Sequence, residues 1–256
     1  LKFFKAGTGG DFMDETAIYE LSKIIQASEN IVFFGGAGVS TESNIPDFRS
    51  EEGIYNIKSK YNFPPETMLS HSFFINQTSL FYDFYKTSMI FPNARPNLAH
   101  LTLAKLEQMG KLKAVITQNI DGLHQAAGSN NVLELHGSVH RNYCMCCQKF
   151  FDLDYILSSE DVPLCDVCSE IIKPDVVLYE EGLDYEVIEK SVYAIQNADT
   201  LIIGGTSLSV YPAAGLIDYY RGNNLILINK GEVYKKSKAK LVFRDSIGEV
   251  LSLALK

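Results

Sequence analysis

The chain has no run of eighteen apolar residues, no basic excess, no internal repeat and no low-complexity tract. A membrane-spanning helix needs about twenty predominantly apolar residues, and the most apolar stretch, Leu201 to Ile217, is broken by Gly204, Gly205, Thr206, Ser207 and Ser209. No transmembrane helix is expected. Lys and Arg number 23 against 31 Asp and Glu, a net charge of −8. That balance argues against nucleic acid as the main partner and is compatible with a basic peptide. The N-terminal stretch lacks the charged, apolar and small-residue zones of a secretory signal, so a cytoplasmic location is expected. Leu1 to Phe12, with its Gly7 to Gly10 stretch, reads as a foreign leader ahead of Met13. With 256 residues, 46% of them hydrophobic, the remainder suits one large domain carrying a small inserted module.

Four of the five cysteines fall in two pairs, Cys144-x-x-Cys147 and Cys165-x-x-Cys168, with seventeen residues between them. This is the spacing of a zinc ribbon, in which each pair offers two thiolates to one tetrahedral ion. Buried or redox thiols are the competing reading. Four sulfur ligands leave no open position on a zinc ion, so the metal would be structural and the chemistry must lie elsewhere.

Short aliphatic runs alternate with amphipathic segments along the rest of the chain. Asp14 to Ser28 has helical spacing, with Ala17, Ile18, Leu21, Ile24 and Ile25 on one stripe, and Leu98 to Met109 is also helical. The strands expected are Ile31–Phe34, Ala114–Thr117, Val132–Leu135, Val176–Leu178, Leu201–Ile203 and Leu225–Ile228. Continuous apolar strands between helices indicate an α/β fold with a parallel sheet covered on both faces. Two regions interrupt the pattern. Ser50 to Arg95 reads as a helical insertion whose aromatic stripe, Phe73, Phe74, Leu80, Phe81, Phe84 and Tyr85, should be core. His140 to Lys173 is the cysteine module. The lysines from Lys230 to Lys240 read as a solvated turn and strand edge.

The first strand runs into Gly35-Gly36-Ala37-Gly38-Val39-Ser40-Thr41, where exposed amides and absent side chains would let a pyrophosphate approach. Thr41 occupies the third glycine slot of G-x-G-x-x-G, so a tight turn without ligand is the alternative. A second turn, Gly204-Gly205-Thr206-Ser207, ends another strand, and two such turns would bracket a dinucleotide. Asn229 ends the Leu225 strand, where an amide can hydrogen-bond ribose hydroxyls. Ile45-Pro-Asp-Phe-Arg-Ser50, Gln118-Asn-Ile-Asp121 and His136-Gly137 would all sit at strand ends or adjoining loops, where α/β sheets build their sites.

Gly36-Ala-Gly-Val-Ser40, Ile45-Pro-Asp-Phe-Arg49, Gln118-Asn-Ile-Asp121, His136-Gly137, the cysteine pairs, Pro174-Asp-Val-Val177, Gly205-Thr-Ser-Leu208 and Leu227-Ile-Asn229 occur in this order. In this set the chain resembles the sirtuin family, bacterial type. The resemblance implies an NAD-dependent protein lysine deacetylase that releases nicotinamide and O-acetyl-ADP-ribose. It implies a Rossmann-like domain over residues 13–48, 96–138 and 174–256, a cofactor loop with helical insertion at 49–95, and a zinc-ribbon module at 139–173. NAD and one structural zinc ion are the expected cofactors, and acetylated lysine-containing proteins or peptides the partners, with no nucleic acid and no membrane.

The same resemblance distributes roles. His136 is the expected general base, and Asn119 with Gln118 orders the ribose side and a water. Asp121 and the Ile120 backbone hold the carboxamide of nicotinamide, Phe48 excludes water from the reacting carbon, and Arg49 binds phosphate with Gly36, Ala37, Gly38 and Thr41. Gly205, Thr206, Ser207, Asn229, Ser246 and Ile247 complete the expected cofactor contacts. The substrate would add a strand beside Val177 and Tyr179 on one side and Val210 and Pro212 on the other. Cys144, Cys147, Cys165 and Cys168 hold the metal.

Departures from the family pattern are Gly35, Asn44 and Glu180 in place of the usual Thr, Gly and Gly, with Tyr179 and Lys173 where Phe and Arg are common. Asn44 can adopt the left-handed conformation, and Glu180 would place a carboxylate beside the peptide and favour basic substrates. Removal of longer or acidic acyl groups is the nearest alternative activity. Ser50 to Ala94 contains no arginine to fork around an acyl carboxylate, and Lys58 and Lys60 offer point charges alone. Protein ADP-ribosyl transfer is a further alternative, against which stand both His136 and Asn119. A non-catalytic module that senses NAD and binds partners through the zinc ribbon is the alternative from another class.

Overall fold

A computed structural model describes residues 14–47, 61–231 and 238–256. The expected leader therefore lies outside the described residues. So do Phe48, Arg49, Lys58 and Lys60.

Among the described residues nine strands form two sheets. β1 (Ile31–Gly35), β2 (Leu112–Thr117), β3 (Val132–Glu134), β7 (Thr200–Gly204), β8 (Asn224–Ile228) and β9 (Leu241–Phe243) build a six-stranded sheet in the order β3-β2-β1-β7-β8-β9. Every pairing in it is parallel. Ranked by position in the chain the order is 3-2-1-4-5-6, the dinucleotide-binding arrangement, and it reverses beside β1. Why the apolar runs are unbroken follows from β1 itself. Ile31 and Phe33 enter one core with Leu21, Ile25, Leu103 and Val250, while Val32 and Phe34 enter another with Ile195, Leu201 and Leu216. Alternate side chains thus meet an apolar layer on either face, and no polar residue is tolerated between them.

Three of the covering helices begin on side-chain caps. Asp14 accepts from the Thr16 and Ala17 amides ahead of Glu15–Ala27, and Asp184 caps Tyr185–Asn197. Asn97 and His100 form a reciprocal capping box on Leu98–Gln108, and Ile247–Ala254 closes the chain. Such caps satisfy amides that the first helical turn leaves without partners.

β4 (Gly137–Cys144), β5 (Phe150–Phe151) and β6 (Ile172–Val176) make a separate antiparallel sheet in the order β5-β4-β6. Val176–Leu178 is accordingly not a strand of the parallel sheet, contrary to expectation. Burial alternates along β6, with Ile172, Pro174 and Val176 inward, as befits a strand with one covered face. The cover is the aromatic stripe. Phe73, Phe74, Phe81, Phe84 and Tyr85 pack in one core with Val139, Phe151, Ile156, Ile172 and Val176, so the insertion and the cysteine module share an interior. Phe74 and Phe81 meet edge to face with centroids 5.0 Å apart, and the Tyr82 hydroxyl donates to the Ile172 carbonyl.

Candidate active site

The two glycine turns lie against each other at the carboxyl ends of β1 and β7. The Gly36 amide donates to the Gly204 carbonyl (3.3 Å), Gly38 to Gly205 (2.9 Å) and Gly205 to Ile228 (3.1 Å). A Cβ on Gly38 would stand 2.7 Å from the Gly205 Cα, and one on Gly205, where φ is +62°, would stand 2.4 Å from the Val39 nitrogen. Side chains are excluded because the turns pack on one another. The expectation of exposed amides is corrected here: Gly36, Gly38, Val39 and Ser40 all donate to backbone carbonyls. The turn offers close approach rather than a row of outward N–H groups. Ala37 is half-buried, and exposed Thr41 donates from Oγ1 to the Gly38 carbonyl (3.0 Å).

A chain of polar side chains crosses this crevice. Leaving β2, Gln118 donates from Nε2 to Thr206 Oγ1 (3.2 Å), and Asn119 donates from Nδ2 to Ser40 Oγ (3.0 Å). Ser40 in turn donates to Asp121 Oδ2 (2.6 Å), while Asp121 Oδ1 accepts the Leu123 amide (2.9 Å). The carboxylate is thereby fixed at both oxygens. The Ile120 carbonyl accepts the Val139 amide (3.0 Å), which ties this loop to β4. His136, two residues beyond Glu134 at the end of β3, makes a 2.9 Å hydrogen bond between Nδ1 and the Gln118 carbonyl. A carbonyl can only accept, so Nδ1 carries the proton and Nε2 is the basic nitrogen of the neutral ring.

Ser40 was not among the residues expected to act, although it stands inside the glycine string. Its role depends on the Asn119 and Asp121 contacts, which are 79 and 81 residues away in sequence. Asn97, which donates to the Val39 carbonyl (2.8 Å) and Ser43 Oγ (3.0 Å), was missed for the same reason, whereas Thr117, whose Oγ1 accepts the Asn119 amide (3.0 Å), has a local contact and was read only as a strand residue.

Under the loop lie two buried imidazoles, His100 and His124, with ring centroids 4.7 Å apart. Burial and the neighbouring His100 push His124 down to about 3, so it is neutral at ordinary pH.

The remaining expected contacts are more dispersed. Asn229 follows β8, with its amide on the Phe243 carbonyl (3.0 Å) and Nδ2 on the Gly231 carbonyl (3.1 Å). Ser246 precedes the last helix, and the Ile247 side chain is buried in the core beneath Gly204, which leaves the main chain for any ligand contact there. Ser207 pairs its hydroxyl with that of Ser209 (2.7 Å). The Val210 and Pro212 carbonyls accept the Ala214 and Gly215 amides.

On the opposite side, Val177 donates to the His136 carbonyl (3.0 Å) and Tyr179 to the Leu69 carbonyl (2.9 Å), while the Tyr179 carbonyl accepts His71 (3.0 Å). One edge of this segment is thus already occupied by the insertion. Glu180 takes the left-handed conformation (φ +77°) that glycine would adopt without strain, as Asn44 does at φ +61°. Its side chain is exposed, with Oε2 engaged by the insertion. It accepts the Ser72 hydroxyl (2.7 Å) and amide (2.8 Å), and these bonds hold it below the usual carboxylate range.

The four cysteines converge. Cys144 Sγ is 3.3 Å from Cys168 Sγ, Cys147 Sγ is 3.6 Å from Cys165 Sγ, and all four sulfurs lie within 4.8 Å of one another. A tetrahedron with zinc–sulfur bonds of about 2.3 Å has edges of about 3.8 Å, so the donor set fits one zinc ion. Burial raises the Cys144 thiol, but the Cys147 and Cys146 amides and the facing sulfurs outweigh it and bring it down to about 6. The fifth cysteine, Cys146, stands outside this cluster.

The Sir2 family model matches residues 36–212. An NAD-dependent protein deacetylase of Clostridium acetobutylicum is 64% identical over 239 residues, covering 93% of this chain and 98% of that protein. A solved structure of Sir2 with a p53 peptide and NAD+ superposes with a TM-score of 0.81 at 39% identity, over 92% of this chain and 95% of the other. Another, Sir2 bound to acetylated peptide, gives a TM-score of 0.79 at 38% identity, over 91% and 94%.

Proposed function

The chain belongs to the Sir2 family, and on that premise we propose that it removes acetyl groups from protein lysines at the expense of NAD. The products are nicotinamide, O-acetyl-ADP-ribose and the free lysine. The observation that carries the reading is the hydrogen-bonded set Asn119–Ser40–Asp121 with His136 beside it, at the carboxyl ends of adjacent strands. Bound NAD supplies a sugar carbon that becomes electrophilic as nicotinamide departs.

The residues supply position and proton transfer. Asp121, fixed by Ser40 and Leu123, orients the nicotinamide carboxamide, and Asn119, fixed by Ser40 and Thr117, orders the ribose side. Stacked turns at Gly36, Gly38, Gly205 and Thr206 give the pyrophosphate close access to the main chain, and Asn229 with Ser207 meets the adenosine end. Phe48 and Arg49, outside the described residues, are assigned water exclusion and phosphate binding in this proposal. His136, protonated at Nδ1, takes a ribose hydroxyl proton at Nε2.

The acetylated peptide lies between the Val177–Tyr179 segment and Val210–Pro212, held through main-chain groups. The all-thiol zinc site keeps the small sheet in place and takes no part in the chemistry. Among the described residues no helix is long and apolar enough to cross a membrane, and free paired thiols suit the reducing cytoplasm.

Incubation with an acetyl-lysine peptide and NAD tests the proposal. Nicotinamide and deacetylated peptide in equal amounts support it. Deacetylation without NAD, or NAD binding with no turnover, excludes it and favours a hydrolase or a sensor.

A further inference from the structure

The loop that presents Asp121 is gripped from the small sheet by a side chain that none of the proposed roles uses. His140, on β4, places Nε2 3.2 Å from the Asp121 carbonyl oxygen. The carbonyl can only accept, so Nε2–H donates. The same ring covers Gly122: a Cβ there would lie 2.7 Å from both Cδ2 and Nε2 of His140, and Gly122 has φ +72°. One residue earlier on β4, the Val139 amide donates to the Ile120 carbonyl (3.0 Å). Consecutive residues of β4 therefore hold consecutive carbonyls of the Ile120–Asp121 loop, the first by main chain and the second by imidazole.

The consequence concerns the carboxylate. Asp121 is held at Oδ2 by Ser40, at Oδ1 by the Leu123 amide and at its carbonyl by His140. The first two holds come from the large domain, and the third comes from the strand that leads into Cys144. We infer that His140 is a positioning residue, which clamps the Asp121–Gly122 peptide so that the carboxylate faces the nicotinamide carboxamide and couples nicotinamide affinity to the seating of the zinc-bearing sheet. This rests on the nicotinamide role proposed for Asp121. His140 itself touches no reacting atom.

The test compares His140→Phe, which keeps a ring over Gly122 and removes the donor, with His140→Gln, whose terminal amide nitrogen stands close to the position of Nε2. The inhibition constant of nicotinamide in the deacetylation assay should rise about three- to tenfold in His140→Phe, the size of one neutral hydrogen bond, with the KM for acetyl peptide unchanged. In His140→Gln it should return to within about twofold of the parent protein. Amide hydrogen exchange at Leu123, measured on the protein without ligands, should accelerate in His140→Phe and recover in His140→Gln. Unchanged nicotinamide inhibition and Leu123 exchange in His140→Phe would overturn the clamp. Equal losses in both variants would overturn it too, since a restored donor would then have restored nothing. Absence of NAD-dependent turnover in the parent protein would instead defeat the deacetylase reading, while Leu123 exchange would still decide whether His140 fixes the loop.

Discussion

The six-stranded sheet and the three-stranded sheet solve the same problem of burial by different means. In the first, β1 and β7 are buried along their whole length between two apolar layers. In the second, β5 has two residues, Cys147 and Cys168 are exposed, and the apolar face is completed by aromatic residues from a separate insertion. A parallel sheet of this size stabilises itself, whereas a small sheet around a knuckle needs a metal and a borrowed cover. The difference teaches where function is vulnerable. Polar groups proposed for the chemistry hang from the self-sufficient sheet, while one of the two segments proposed to flank the peptide, Val177–Tyr179, follows the dependent one.

The sharpest way to break this contrast is Cys144→Ala. Four-thiolate zinc binding contributes roughly 10–16 kcal/mol of apparent folding free energy in small zinc modules, so this variant should lose zinc and peptide binding while the parallel sheet persists. Zinc content and thermal unfolding followed by near-ultraviolet circular dichroism would show it, and retained zinc with normal turnover would remove the contrast. Next comes His136→Ala, which leaves both sheets intact and should cost on the order of 10²- to 10⁴-fold in deacetylation, with NAD affinity unchanged by calorimetry.

Gly205→Ala probes the contact between the two turns. The added Cβ meets the Val39 nitrogen at 2.4 Å from a backbone already at φ +62°. A loss of about 3 kcal/mol in denaturant unfolding is expected, with weaker NAD binding. Wild-type stability would show that the turns are not packed as described.

The smallest effect lies beneath the site. His124 is neutral in the fold, its pKa lowered from 6.5 to about 3 by burial and His100, while the unfolded chain retains the ordinary value. The unfolded state therefore binds the proton first, so stability is complete above pH 6.5 and is lost as pH falls toward 3. One unit below the unfolded value the loss is about 1.4 kcal/mol. His124→Leu should flatten the fall in Tm from pH 6.5 downward, and an unchanged pH profile would contradict the neutral assignment.

Much of this was readable along the chain because it is local. A four-residue apolar run that meets glycines and a pair of Cys-x-x-Cys knuckles each carry their own physical signature. What escaped is non-local. Val176–Leu178 looked like a buried parallel strand, but three apolar residues do not state which sheet they join, and pairing with β4 decided it. Ser40 gained its place from partners at 119 and 121, and Glu180 gained its from Ser72. The glycine turns were legible as turns. That their amides donate inward, and that the glycines are required by each other, depends on how β1 and β7 align side by side.

Two single variants test the division of labour at the strand ends most directly. Exchange of labelled nicotinamide into NAD, measured with acetyl peptide present, should survive in His136→Ala while deacetylation is lost, and both should be lost in Asp121→Asn. Deacetylation at the parental rate in His136→Ala, or parental exchange in Asp121→Asn, would contradict the account.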